Sequence, residues 1–453
     1  MTTAPTTQPA AQPGAKVQRP TIEIKPANCV TDQCHASVKQ YKKLHGPVNV
    51  NACDACHTPV SAEKHTFKLT REKDKLCGFC HQIDTTGAKV VHKPLERGEC
   101  LSCHNPHGGA DQTYFRGKTM GETCNTCHQS VTGDKKNIHG PVAAGACGVC
   151  HQSHTSELPK LLVKQGRELC ISCHQELDQQ LATMQFKHKP VEGDCLVCHD
   201  SHASNHLHIT RAEPLALCTT ECHTDVRKAV QDAKYKHSAV TQDNACANCH
   251  TPHGGDLATL MKDKPVKICL TCHDKEVKDP QGKVIASVAL ITDPKLSMHG
   301  PLREGSCGGC HNVHGSDVSR LLAKPYPTGF YESFNVEKYD LCFACHDKQL
   351  VLKPQADGLT GFRNGQENLH FAHVNKDKRG RSCRACHSTH ASTQPQHVRE
   401  SVPYGNWELP INFKKTETGG SCSPGCHQAM GYDRKQAVMN ETDGAAAPKE
   451  TLP

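Results

Sequence analysis

The sequence predicts an elongated array of repeats, mostly coil with short α-helices and little β-structure, and three observations predict it. The 30 cysteines among 453 residues fall into 15 close pairs, and a histidine follows the second cysteine of every pair. The chain is 36% hydrophobic but only 4% aromatic, which makes a thin apolar core for a protein of 49.4 kDa. A composite unit built on these pairs recurs every 47 to 49 residues through its first four copies, and repeats that touch only their neighbours build extended bodies.

Twelve pairs have the spacing C-x-x-C-H. They are Cys53, Cys56 and His57; Cys77, Cys80 and His81; Cys100, Cys103 and His104; Cys124, Cys127 and His128; Cys147, Cys150 and His151; and Cys170, Cys173 and His174. The series continues with Cys195, Cys198 and His199; Cys246, Cys249 and His250; Cys269, Cys272 and His273; Cys307, Cys310 and His311; Cys342, Cys345 and His346; and Cys383, Cys386 and His387. Two pairs carry one extra residue, Cys218 and Cys222 with His223, and Cys422 and Cys426 with His427. One carries two, Cys29 and Cys34 with His35.

This pattern is the one that covalent haem requires. Two thiols add across the two vinyl groups of a porphyrin, and the adjacent imidazole reaches the iron as its proximal ligand. With 33 histidines in 453 residues, a histidine at a given position is about a 7% event, so fifteen in a row by chance is on the order of 10⁻¹⁷. A disulfide framework explains the even count and zinc ribbons explain paired cysteines, but neither calls for the histidine each time. The expected cofactors are fifteen c-type haems with their iron, and the fold class is that of a multihaem cytochrome c. At about one haem per 30 residues the polypeptide wraps cofactors rather than a side-chain core, and the chain without haem should fail to fold.

The formal charge of +7 misleads for the same reason. Two propionates and a ferric core give each haem a net −1, so the loaded protein sits near −8 if every propionate is ionised. Lysines and arginines are scattered, and nothing argues for nucleic acid. Covalent haem attachment takes place outside the cytoplasmic membrane, so a periplasmic, outer-membrane-associated or extracellular protein is expected. The first residues have no basic n-region or apolar h-region, which suggests a signal peptide removed or replaced. No stretch approaches the length of a transmembrane helix.

Residues 1–28, rich in Thr, Pro, Ala and Gln, read as a flexible leader. Motif histidines then recur every 22 to 27 residues up to His273 and every 35 to 41 beyond it. A dense eleven-haem segment is therefore expected over 29–273, a looser four-haem segment over 274–427, and a polar tail over 428–453. Helices are expected over 170–186 and 218–235, where Leu177, Leu181 and Met184 keep helical spacing, and turns elsewhere.

Within the repeat, His45, His92, His139, His188, His237 and His299 stand seven to nine residues before a motif, most of them followed by Gly-Pro or Lys-Pro. Six motifs continue as C-x-x-C-H-x-x-H, adding His107, His154, His202, His253, His314 and His390. Eighteen histidines lie outside the motifs, enough to give fifteen irons a second, distal ligand. A histidine three residues after a proximal one cannot loop around the porphyrin edge to the other face of the same iron, so it should ligate a neighbouring haem. The first unit has Val60 at that position, with His65 the nearest later candidate, and in the last unit His370 or His373 could act. The haem at Cys29 has no obvious partner by sequence position. The unrepeated His206, His208 and His397 read as surface or propionate-pairing residues, and Met120 and Met298 as packing rather than axial sulfur.

The doubled C-x-x-C-H repeat resembles the NrfB-like and Mtr-type periplasmic multihaem cytochromes over about residues 29–427. The resemblance implies a coil and short-helix fold, an elongated haem chain and bis-histidine ligation, and members of that type sit partly inside an outer-membrane β-barrel. Fifteen motifs in place of ten, three stretched motifs and long inserts in the last units are departures from the pattern.

Two ligands on each iron keep substrates off the metal, and a long electron path needs many closely spaced relays. The sequence is therefore read as an electron-transfer protein, not an enzyme, with redox proteins as partners. Three versions follow: a wire across the periplasm and outer membrane with a barrel and an extracellular cytochrome as partners, a self-assembling filament subunit or soluble shuttle, and a multihaem oxyanion reductase. Trp407, in an insert with Pro403 and Pro410, is either a docking anchor or packed on haem. The intact mass of the matured protein should exceed that of the apoprotein by fifteen haem masses. A value of fourteen or fewer would mean that a stretched motif, first of all the one at Cys29, is unused.

Overall fold

The computed structural model describes residues 29–440 except 33, 62, 129, 130, 243, 280 and 426. The expected leader, Cys426 and the last thirteen residues of the expected tail lie outside the described residues. The chain forms two compact units. The first holds the described residues up to Gln179 together with Lys189–Arg211, and the second holds Gln180–His188 and the chain from Ala212 onward.

Each repeat is built from single turns. An upstream histidine ends a two-residue strand and enters one helical turn, Gly46–Asn49, Lys93–Glu96, Gly140–Ala143 or Gly300–Arg303. Proline in the first two positions starts that turn at no cost, because the first N–H groups have no partner there. The turn then stops on a left-handed residue: Gly98, Gly145 and Gly305 have φ of 67°, 67° and 74°, and Asn51 has φ of 59°. A 3₁₀ turn on the first cysteine follows, as at Cys53–Ala55 and Cys100–Ser102. It brings both cysteines and the histidine to one side, and His104 N donates to Cys100 O at 3.0 Å.

Consecutive repeats are clipped together by antiparallel pairs of two residues. In the first unit Lys43–Leu44 pairs with Gly108–Gly109, Val90–Val91 with Thr155–Ser156, and Asn137–Ile138 with Ala203–Ser204. In the second, Phe186–Lys187 pairs with Gly254–Gly255, Tyr235–Lys236 with Gly315–Ser316, and Ser297–Met298 with Ala391–Ser392. The second strand of every clip directly follows an H-x-x-H and uses small residues, because the facing backbone is too close for more. Among the described residues, β-structure elsewhere consists of short hairpins, isolated bridges, the long-range pair Tyr331–Glu332 with Gly380–Arg381, and one three-stranded sheet over 414–433.

The helices expected over 170–186 and 218–235 are each broken in two. Arg167–Ile171 and Gln175–Thr183 flank one motif, and Pro214–Thr219 and Thr224–Gln231 flank another. His223 has φ −99° and ψ 54°, outside the helical region, so the motif interrupts the periodic pattern that predicted a continuous helix.

The side-chain core is unevenly placed. Among the described residues, Ala203 is the one buried hydrophobic residue of the first unit, while Val50, Val60, Phe79 and Val149 are more than half exposed there. The inserts of the second unit carry two clusters, Tyr326, Tyr339, Val351 and Val374, and Val398, Val402 and Ile411. Trp407 is 69% exposed on a hairpin of Ser401–Tyr404 with Trp407–Pro410.

A Cβ at Gly108 would stand 2.5 Å from the Lys43 carbonyl oxygen and 2.8 Å from Tyr41 Cβ, whereas one at Gly46 meets nothing within 4 Å. Gly108→Ala should therefore lower stability by about 1–3 kcal/mol, read as an earlier midpoint of chemical unfolding, and Gly46→Ala should not.

Candidate haem sites between facing histidines

Motif histidines face histidines from outside the motifs. In the first unit the pairs, by distance between ring centres, are His35 and His65 at 5.9 Å, His45 and His81 at 5.6 Å, His57 and His107 at 6.3 Å, and His92 and His128 at 6.3 Å. His104 and His154, His139 and His174, and His151 and His202 each stand at 6.1 Å. In the second unit they are His188 and His223 at 6.0 Å, His237 and His273 at 6.2 Å, His250 and His314 at 6.4 Å, His299 and His346 at 6.0 Å, His311 and His390 at 6.3 Å, and His370 and His387 at 6.3 Å. The ring planes lie between 7° and 43° of one another.

That spacing fits one metal ion between the rings. A metal–imidazole bond is about 2 Å long; two of them plus roughly 1.1 Å from each nitrogen to its ring centre give a span of about 6.2 Å. Directly stacked rings would be much closer. Exposed valines and a phenylalanine beside the motifs, in a chain with little core of its own, fit an apolar plate as well.

Hydrogen bonds fix which nitrogen faces inward. Nδ1 of His104, His151, His199, His250, His311 and His387 lies 2.7 to 3.0 Å from the carbonyl oxygen nine residues later, on Thr113, Lys160, His208, Thr259, Arg320 and Gln396. Upstream histidines do the same across the clip: His45, His92, His139, His188 and His237 reach Pro106, Ser153, Ser201, Pro252 and Val313 at 2.8 to 3.0 Å. A carbonyl only accepts, so Nδ1 carries the proton and Nε2 keeps its lone pair for a metal. Burial lowers the pKa of His311, His314, His387 and His390, and of His370 to about 4, which holds them in the neutral, ligating form.

The carbonyls nine residues on sit in an unusual turn. Lys160 and Leu161, His208 and Ile209, Thr259 and Leu260, Arg320 and Leu321, and Gln396 and His397 are consecutive residues with φ between 49° and 61°. Left-handed backbone costs a residue with a side chain roughly 1–2 kcal/mol, and glycine would remove that cost. The side chain of Ser156, and likewise those of Ser316 and Ser392, donates back to the turn through Leu162 O, Leu322 O and Val398 O.

The pairs obey one rule. An upstream histidine faces the second motif of its own repeat, and an H-x-x-H histidine faces the first motif of the preceding repeat. Polar side chains aim the latter: Asn105 Oδ1 accepts from His107 N at 3.1 Å and Asp200 Oδ1 from His202 N at 2.9 Å. His65 takes the role missing at Val60 and faces His35. In the last repeat His370 faces His387, while His373 feels the charge of His427. His253 accepts from His188 N through its carbonyl. Met120 Sδ accepts from Gly148 N at 3.1 Å, a packing role. His208 supplies its carbonyl to His199, and His397 lies edge-on against His299 at 5.6 Å.

Attachment thiols of consecutive motifs adjoin. Side-chain hydrogen bonds link Cys29 with Cys53, Cys77 with Cys100, Cys124 with Cys147, and Cys170 with Cys195 in the first unit. In the second they link Cys218 with Cys246, Cys269 with Cys307, and Cys342 with Cys383. Burial, then the neighbouring thiol, pushes Cys77, Cys124 and Cys170 up to about 11. Each of these bonds joins two motifs that are consecutive in the sequence.

A family model described as the doubled CXXCH motif matches residues 45–85, 92–133, 139–179, 188–228, 237–278 and 299–350. The multiheme cytochrome MtrA of Shewanella baltica (strain OS185) is 24% identical over 295 residues, which is 58% of this chain and 78% of that protein. Among the described residues no helix is long and apolar enough to cross a membrane. If His314 supplies the sixth ligand opposite His250, His314→Ala should turn one haem per chain high-spin and let it bind one equivalent of cyanide. His206→Ala should leave the spectrum low-spin.

Proposed function

Because the chain belongs to the doubled CXXCH motif family of multihaem c-type cytochromes, we propose that it is an electron conduit carrying fifteen haems, each held between two histidines. The observation that carries this reading is the adjacency of attachment thiols in pairs of consecutive motifs, which would bring the haems they tether close to one another. Bound in this way, haem supplies a one-electron couple at each station. The cysteines would tether it, and the facing histidines would hold its iron. The carbonyl-bound Nδ1 groups keep one imidazole of most pairs from turning, so little would have to rearrange when charge arrives. With both faces taken, substrates have no approach to iron, which favours conduction over oxyanion reduction.

The proposed thioether residues are the fifteen cysteine pairs. The proximal ligands are the fifteen motif histidines, and the distal ligands are the histidines facing them together with His253 and His373. The proposed location is the periplasm or the outer membrane, with a β-barrel and an extracellular cytochrome as redox partners; the Mtr-type resemblance supports both. Deleting the chain from its host should abolish reduction of an insoluble external ferric oxide while reduction of soluble periplasmic acceptors persists. Sustained turnover of nitrite or sulfite by the purified reduced protein, or unimpaired oxide reduction in the deletion strain, would overturn the proposal.

A further inference from the structure

The left-handed turn after each H-x-x-H motif bends through residues that all carry side chains, although glycine would suit its backbone better. Its second residue stands ten positions after the motif histidine and is Tyr114, Leu161, Ile209, Leu260, Leu321 or His397, with φ between 49° and 57°. From the second copy onward the turns 159–161, 207–209, 258–260, 319–321 and 395–397 lie against the strands 90–91, 137–138, 186–187, 235–236 and 297–298, each of which leads into an upstream histidine. Where the residue is aromatic its ring rests on that histidine. Tyr114 is 5.6 Å from His45, tilted by 60°, and His397 is 5.6 Å from His299, at 79°.

The six positions differ in polarity. Four are aliphatic, and those at the first and last clips are polar aromatics. Tyr114 Oη donates to Leu44 O at 3.3 Å. His397 hydrogen-bonds the backbone of Ser297, and its Nδ1 is buried without a partner among the described residues. A polar ring and an aliphatic one therefore occupy equivalent places against the second ligand of equivalent sites.

We propose that this position tunes the reduction potential of the haem whose distal histidine it covers, and that His397 and Tyr114 hold the haems at Cys342 and Cys77 lower than leucine or isoleucine would. Oxidised bis-histidine haem carries a net positive core charge that the reduced form lacks. A dipole against the imidazole stabilises that charge, and an aliphatic side chain does not. Residue 397 is thus a positioning residue for potential. The inference rests on the bis-histidine ligation proposed above and not on the physiological partners.

The test is an optical and paramagnetic-resonance redox titration of the fully loaded protein and three variants. In His397→Leu, one haem's share of the amplitude should move to higher potential by up to about tenfold in oxidised-to-reduced ratio, or about 59 mV for one electron. His397→Asn, polar and tolerant of left-handed backbone, should keep the original curve. Leu321→His should move one haem's share the other way. Unchanged haem content and low-spin spectra in all three would show that ligation stands whatever the potentials do. Superposition of His397→Leu on the unmodified protein, an equal shift in His397→Asn, or a high-spin signal in His397→Leu would overturn the proposal.

Discussion

Two imidazole rings facing each other about 6 Å apart, one of them in most pairs with its Nδ1 proton on a backbone carbonyl, form the constraint on which the rest of the chain depends. The separation admits one metal ion and little else. Keeping it demands that two histidines far apart in sequence be fixed in orientation and distance, and single turns of backbone have little rigidity of their own. The chain solves this by letting one clip do two jobs. The strand pair that joins Val90–Val91 to Thr155–Ser156 also presents the Ser153 carbonyl to His92 and delivers His154 opposite His104. On the proposed ligation a repeat within either unit cannot complete its first site without the next repeat, and coupling between neighbours lies in the ligand set rather than in surface packing.

The source of stability differs between the two units. With Ala203 as the buried hydrophobic residue of the first unit among the described residues, the side chains offer little core there, and folding coupled to cofactor insertion, as in small metal-dependent domains, is expected. The inserts of the second unit bring their own cluster around Tyr339 and Val351, and Cys342 and Cys383 pack against it. The long spacing between the last motifs, which looks like loose chain in the sequence, is where conventional side-chain packing occurs.

Much of this arrangement is legible in the order of residues alone. The attachment motifs, the doubled repeat and the two classes of extra histidine follow from spacing, as does the argument that an H-x-x-H histidine serves a neighbour. The partner of each histidine does not follow, because it depends on strand pairs two residues long, too short to leave an alternating pattern. His65 is visible as a substitute for the histidine missing at Val60, yet its link to His35 needs the pairing rule carried back one repeat. The left-handed turns are hidden most deeply. Lys160 and Leu161 carry none of the Gly, Asn or Asp signals that mark such turns, since the side chains are kept for their contacts in spite of the backbone. The break in the helices at Cys170 and Cys218 has the same origin: the motif's demand for an inward histidine overrides a periodic apolar pattern.

The pairing rule also explains the irregular ends. Within this sequence no H-x-x-H motif follows the one at His387, so the rule leaves that motif without a facing histidine from a later repeat. The chain supplies His370 from the same repeat, on the helix Leu369–Val374, one turn before His373. Holding His370 opposite His387 places a demand on that helix, and the demand is met by Asn368. That residue is fully buried, caps the helix through His370 N and Phe371 N, and donates to the carbonyls of Leu350 and Lys353. Val374 then anchors the helix in the cluster with Tyr339. At the other end the added motif at Cys29 creates a site that no preceding upstream histidine is needed to fill, because His65 takes the place of the missing H-x-x-H histidine. The irregular repeat thus departs from the others where the pairing rule would otherwise leave a motif histidine unfaced: its inserts carry the structure that holds, opposite His387, a histidine which elsewhere comes from the following copy.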